Sequence, residues 1–550
     1  MESSKKLKTM DAESMQDLLE SSPIHKVNED ILIMIFNYLS IIDRIKIEAV
    51  SQSWREIAKK SWSKVKILKL DRTFLGFKPF GTNCHDSINE SEFVEILYRT
   101  GKYVKEIDFS NSFGCQISSV ATYCPNIQSI NWHEALREDL EELSITVQNL
   151  SEFTLERELD EDCEDALGRI FSKNKKLRKL KLNFGEMEGY CLHELPLREI
   201  TKLNIKTRQN NYDFRENLIG ALKQTENLSS FWFDNTDAEI IKTLAFSCKN
   251  LTEIQLTNFQ NDLGDVDELF SKLFLSNRNL KSISLHLYNA QLTGECLICL
   301  NENSVEAIEF KYLDFQNFQS DYLNKCLSTF KKLHTLKLEA LGDPNIHERD
   351  MDKYLSSCLN LKALELSNLM YQSDSPEILK NSIPSLKSLE SLSLKLQTLS
   401  TDFYNCLNSN LLQLKNLCLC SCENLSDVDI ETLHKLPNLE ALDISANENI
   451  TGSGLCKLPN LKKLICYYCI SLIDDSLISF LKCATDLEYL NLGRCPEITN
   501  AVIEAAIQVT KLRTNNIVMR VGIQDTSVNI DTIENTPPLL VLDEDMSYDL

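Results

Sequence analysis

Leu361-Lys362-Ala363-Leu364-Glu365-Leu366 and Leu389-Glu390-Ser391-Leu392-Ser393-Leu394 are two copies of one apolar rhythm, L-x-x-L-x-L. The rhythm returns downstream at Leu414-Leu417-Leu419, Leu439-Leu442-Ile444, Leu461-Leu464-Cys466 and Leu487-Leu490-Leu492. Upstream it stands at Leu251-Ile254-Leu256, Leu280-Ile283-Leu285 and Leu333-Leu336-Leu338. Weaker copies start at Val104, Ile127, Leu150, Leu177, Ile200, Leu228 and Val305, and a frayed one at Leu512 with Asn515 in its middle place. From 104 to 512 there are 16 steps, a mean of 25.5 residues. Alternation over L-x-L predicts a short strand with one buried face. The segments between copies, such as 427–436 and 475–483, read as helices. One strand and one helix cannot bury their own Leu ladder, but stacked neighbours can, with parallel strands on one side and helices on the other. Helices are wider than strands, so the stack is expected to curve with its strands on the concave side.

The period lies in the leucine-rich-repeat range of about 20–29 residues. The last repeats resemble its cysteine-containing class: Leu414-x-x-Leu417-x-Leu419-x-x-Cys422-x-x-Leu425, then Cys469-x-x-Leu472 and Cys495-x-x-Ile498. The resemblance implies that Cys422, Cys469 and Cys495 sit at the turn after each strand, as small buried hydrophobes.

Composition narrows the function classes. The chain has 550 residues, 43% hydrophobic and 25% charged, as in folded proteins. Its unbroken apolar runs, such as Ile31 to Phe36, are far short of a membrane span. Nothing in the first thirty residues reads as a secretory signal, so cytoplasm or nucleus is the expected location. The net charge of −23 argues against nucleic acid as a partner. The acid concentrates in 134–165, with 13 acidic and 2 basic residues, and in 525–550, with 7 acidic and none basic. The 19 cysteines read as reduced thiols. The pairs Cys296/Cys299 and Cys466/Cys469 lack a second pair at zinc spacing, so no metal and no cofactor is expected. No phosphate-binding loop, G-x-S-x-G or H-E-x-x-H occurs, and an enzyme is not expected.

A compact non-repeat segment, Val27 to Trp62, precedes the repeats. Glu29 and Asp30 open a helix whose apolar stripe is Ile31, Leu32, Ile35, Phe36 and Leu39, with Ile33 and Met34 off it. A second helix is predicted over 43–50. A third carries Trp54, Ile57, Ala58 and Trp62, with Ser53 and Glu56 spaced as a capping box. Ile35-Phe36-Asn37-Tyr38-Leu39, Asp43 and Val50-Ser51-Gln52-Ser53-Trp54 resemble an F-box. Asn28 stands where that family has Pro, Val27 where it has Leu, and Ser51 where it has Cys.

The whole resembles the F-box and leucine-rich-repeat protein family. The implied fold is α/β, a curved solenoid preceded by a three-helix F-box. The expected domains are a disordered N-terminus at 1–24, the F-box at 25–64, about 17 repeats plus an enlarged first one at 65–524, and an acidic tail at 525–550. Within the enlarged repeat a loop through Pro79-Phe80-Gly81 and a helix over 92–99 are predicted. The resemblance implies a non-catalytic substrate receptor. Its F-box docks on a Skp-type adaptor and through it on a cullin–RING ubiquitin ligase, and its solenoid captures a protein substrate. The implied adaptor contacts are Val27, Ile31, Leu32, Ile35, Phe36, Leu39, Val50 and Trp54. Outward residues of the sheet face form the expected substrate site, chiefly Trp232, His286, Tyr467 and Tyr489. The rival reading is a repeat scaffold or inhibitor that binds a protein without ligase recruitment.

Overall fold

The computed structural model describes all residues except 1–26, 71–74, 76–89, 110–116, 134, 209–210, 261–262, 289, 315–316, 341–354, 369–381, 397–398, 400, 423, 534–535 and 545–550. The expected disordered N-terminus and the loop at 79–81 lie outside the described residues. Two compact units share the chain: Met1–Lys78, Asp86–Arg157 and Asp165–Leu177 in the first, Pro79–His85, Glu158–Glu164 and Arg178–Leu550 in the second.

The first unit begins with three helices: α1 (Glu29–Asn37), α2 (Ile41–Ile47) and α3 (Gln52–Ser61). Each has a side-chain cap, which satisfies an amide that the first helical turn leaves open. Asn28 accepts from the Asp30 amide at 3.1 Å, Ser40 from Asp43 at 3.1 Å and Ser51 from Trp54 at 3.1 Å. The cap of α3 is therefore Ser51, and the Ser53/Glu56 box does not form. Ser53 already lies inside the helix. Leu32, Phe36, Ile57 and Ala58 make the core of this helical unit, with Val27, Ile33, Leu39, Ile47 and Trp54 partly buried against it. Arg44 is buried, and its guanidinium donates to the Leu39 and Asn37 carbonyls at 3.1 and 2.6 Å, closing the end of α1. Repeat strands β1 (Ile67–Lys69), β2 (Glu106–Asp108), β3 (Ser129–Trp132) and β4 (Glu152–Glu158) follow, and β1 to β4 pair in parallel. The helix of the enlarged repeat is α4 (Glu90–Thr100). Its Arg99 meets Glu48 at 2.9 Å, and Glu48 also accepts from the Trp62 indole at 2.7 Å. These bonds tie the helical segment to the first repeat.

The second unit continues the repeats. Its strands are β5 (Lys179–Asn183), β6 (Lys202–Lys206), β7 (Ser230–Phe233), β8 (Glu253–Leu256), β9 (Ser282–His286), β10 (Ala307–Leu313), β11 (Thr335–Ala340), β12 (Ala363–Ser367) and β13 (Ser391–Lys395). After them come β14 (Asn416–Cys418), β15 (Ala441–Asp443), β16 (Lys463–Ile465), β17 (Tyr489–Asn491), β18 (Met519–Gly522) and β19 (Leu540–Asp543). Within this unit each strand pairs in parallel with its sequence neighbours. Register runs ladder to ladder, so Leu336, Leu364 and Leu392 stand side by side, as do Leu338, Leu366 and Leu394. Both rows are buried while the residues between them are partly exposed. Each such side chain contributes roughly 1.5–3 kcal/mol of burial. The stretch expected as an acidic tail differs from that reading: 540–543 form β19, because Leu540 is buried and the strand adds to β18.

The turn after each late strand has a fixed chemistry. Ser421, Ala446, Tyr468 and Arg494 all have φ of 54 to 58°, in the left-handed region. The next residue, Cys422, Asn447, Cys469 or Cys495, is thereby turned inward and buried. Cys422 donates to the Leu394 carbonyl at 3.1 Å, Cys469 to Ile444 at 3.2 Å and Cys495 to Cys466 at 2.9 Å, each reaching one repeat back. Asn447 does the same with its amide to Leu419 at 2.8 Å, and its oxygen accepts from the Cys422 amide at 2.9 Å. Burial pushes the thiols of Cys422's neighbours in this ladder upward, that of Cys495 to about 12. These cysteines are structural donors rather than nucleophiles.

Part of the acid is structural as well. Asp427, at the start of its helix, accepts from the Thr451 amide and hydroxyl at 3.0 and 2.7 Å and from Gly452 at 2.8 Å. Asp267 holds Thr293 and Cys296, Asp474 holds Thr499, and Glu164 holds Glu188 and Cys191 in the same way. Each carboxylate thus anchors the loop of the following repeat.

Candidate functional site

The helical unit presents two faces of α1. Leu32 and Phe36 point inward, 6% and 2% exposed. Ile31, Met34, Ile35 and Tyr38 point outward, 49%, 60%, 46% and 90% exposed. Their spacing of i, i+3, i+4 and i+7 places them along one side of the helix. Val50, after α2, is 63% exposed. Of the eight anticipated adaptor residues, Ile31, Ile35 and Val50 are accessible. Leu32 and Phe36 are core. Val27, Leu39 and Trp54 are packed against that core, with the Trp54 ring 5.5 Å from that of Phe36. Met34 and Tyr38, which the sequence reading does not include, are exposed beside Ile31 and Ile35, at the same helical spacing from Ile31. The four-residue stripe carries no charge, and an apolar strip on a solvent face is a docking surface in form. Asn28 fits this picture: where the family has Pro, its carboxamide caps α1 and preserves the helix start.

The sheet face of the second unit is built from the residues between ladder positions. Trp232 lies between Asn204 of β6 and Gln255 of β8, half-buried, and its indole N–H has no hydrogen-bond partner among the described residues. His286 is in register with Lys311, and its ring meets that of Tyr312 edge-on at 6.3 Å. Burial and Lys311 push the His286 pKa down, with Glu309 opposing them, so the imidazole is neutral at physiological pH. Across β9 to β13, Ser284 donates to Glu309 at 2.9 Å, Lys311 meets Glu309 at 3.4 Å, and Glu365 takes Lys337 at 3.6 Å and Lys395 at 2.9 Å. Burial disfavours the Glu365 carboxylate, but Lys395 and Lys337 outweigh it and hold its pKa below the usual value. The middle of the face is therefore a lattice of alternating charges neutralised within itself.

The two tyrosines divide. Tyr489 is partly exposed, in register with Lys463 and Arg520, and the Lys463 ammonium lies 4.7 Å from its ring centroid. Tyr467 is 7% exposed, against the expectation of an open aromatic. It lies past the end of β16, where the Arg494 guanidinium covers its ring at 5.6 Å and Gly493 leaves room for its edge. The structure thus brings Tyr467 and Tyr489 to the late repeats, apart from Trp232 and His286 in earlier ones.

Residues 24–66 match the family model of the F-box domain. Among curated proteins none matches the sequence. Among solved structures the chain is similar to one in the Rad7 and Elc1 complex of yeast, at 14% identity over 97% of this chain and 98% of that one, with a TM-score of 0.39. TLR13 in its complex with ssRNA13 is 15% identical over 79% of this chain, TM-score 0.32, and the chain spans 60% of its length. The leucine-rich-repeat-containing protein LegL7 of Legionella pneumophila is 16% identical over 45% of this chain and 86% of that one, TM-score 0.33. The chain thus carries a segment that matches an F-box domain, followed by a stack of leucine-rich repeats.

Proposed function

We propose that the chain is the substrate-recognition subunit of a Skp–cullin–F-box ubiquitin ligase. The exposed apolar stripe Ile31, Met34, Ile35 and Tyr38, on a segment that matches the F-box model, carries the reading. The F-box docks on a Skp-type adaptor through this stripe and Val50, while Leu32, Phe36 and Trp54 hold the helices that present it. The sheet face of the repeats captures a protein substrate. Its mixed charges and its partly exposed Trp232, His286 and Tyr489 suit a folded protein surface with both signs of charge. The chain supplies specificity, and transfer of ubiquitin belongs to its partners.

The test is co-purification of the full chain with a Skp-type adaptor, wild type against Ile35→Glu. Ile35 is 46% exposed, so the carboxylate is solvated in the free chain and the variant folds. In the complex the same charge is buried without a partner and weakens binding by two orders of magnitude or more, roughly 3 kcal/mol. Binding by the variant as tight as wild type sinks the stripe as the docking surface. Failure of wild type to bind sinks the ligase reading and leaves a stand-alone repeat scaffold.

A further inference from the structure

A cleft of about 510 Å³ opens on the helix layer of the second unit, between the helices Ala238–Ser247 and Val266–Ser276. Lys223, Lys242, Lys249 and Lys272 line it around Phe246, and no carboxylate does. Phe246 is 83% exposed, which burial arguments do not explain, and the Lys249 ammonium lies 5.9 Å from its ring centroid. Lys242 and Lys272 pair with Glu239 and Glu268 on their own helices, at 2.7 and 2.6 Å, but these pairs are more than half exposed and hold the lysines weakly. Lys223 and Lys249 have no ion pair among the described residues. Four cations around an open aromatic are an unusual arrangement on a chain of net charge −23.

We propose that this cleft docks a short acidic segment of a partner protein that carries a bulky apolar residue. The apolar side chain packs on Phe246 and on the lysine stems, and the flanking carboxylates meet the four ammonium groups. Charge complementarity selects the occupant. A long polyanion such as nucleic acid is repelled by the acidic remainder of the chain. A peptide of a few residues lies within about one Debye length, ~8 Å, of the lysines and is screened from that remainder. The site lies on the helix layer, so its occupant and a substrate on the sheet face do not compete. It does not rest on adaptor binding.

The test is fluorescence anisotropy of the full chain with a labelled probe peptide, Asp-Glu-Asp-Leu-Phe-Glu-Asp-Glu. The expected results are salt-sensitive binding and a loss of at least about tenfold both in Phe246→Ala and in Lys223→Glu with Lys249→Glu. All three side chains are at the surface, so thermal melting confirms that the variants fold. A peptide with Gly-Gly for Leu-Phe binds at least about tenfold more weakly than the probe. Three results overturn the proposal: no binding of the probe, equal binding by wild type and variants, or an oligonucleotide of the same length binding as tightly and depending on the same lysines.

Discussion

Asp427→Ala probes how one repeat holds the next. The wild-type carboxylate receives three hydrogen bonds from the following repeat, two from the Thr451 amide and hydroxyl and one from the Gly452 amide, all between 2.7 and 3.0 Å. Removing it leaves two backbone donors and a hydroxyl without their acceptor. A lost acceptor costs about 1–3 kcal/mol per buried donor, and Asp427 is only partly buried, so water recovers part of that. The net loss is about 2–3 kcal/mol. Asp427→Asn keeps one acceptor oxygen and should lose about half as much. In a repeat array such a change acts on the nearest interface first. Amide exchange at 451–455 should therefore accelerate about thirtyfold or more in Asp427→Ala, while exchange at 333–338 stays as in wild type. Denaturation in urea gives the global figure. Unchanged protection at Thr451 and Gly452 would refute the idea that the carboxylate anchors the turn. A uniform acceleration along the chain would refute the nearest-neighbour account.

Asp234 is buried, and its carboxyl is pushed up to about 6 even though the Thr207 amide donates to it. Its folded pKa exceeds the unfolded value near 3.9, so its stabilising contribution is complete below about pH 4 and lost as pH rises through about 6. Asp234→Asn should raise Tm relative to wild type at pH 7.5 and not at pH 4; a gain of equal size at both pH values contradicts the linkage. Ala446 sits at φ 56°, where Gly is at ease, so Ala446→Gly should stabilise the late repeats by about 0.5–1 kcal/mol in urea denaturation. Phe36→Ala removes a ring that is 2% exposed and should destabilise the F-box by about 3–5 kcal/mol, whereas Tyr38→Ala, at 90% exposure, should leave melting unchanged and weaken adaptor binding.

The period and the strand-and-helix alternation were legible in the sequence, and the inward place of Cys422, Cys469 and Cys495 followed from the resemblance to the cysteine-containing repeat class. The first two depend on contacts between residues a few places apart, or on the same position one repeat away, so periodicity reports them directly. The F-box helices were legible too, because apolar spacing is a local signal. Cap choice was less so: Ser51 and Ser53 are equivalent as residue types, and packing of Trp54 against Phe36 decides where α3 begins.

The tertiary structure alone decided which apolar side chains stay in solvent. Ile31 and Leu32 are neighbours of the same chemistry, and only the position of α3 leaves one in solvent and makes the other core. Tyr467 looks as open as Tyr489 until Arg494, from the next repeat, covers it. Residues 540–543 read as acidic tail until Leu540 finds a buried place beside β18. Lys223, Lys249 and Lys272 come from three successive repeats, and nothing in their spacing announces a shared cleft. Burial and charge clustering are properties of what surrounds a residue, and in a solenoid those surroundings come from the repeats on either side.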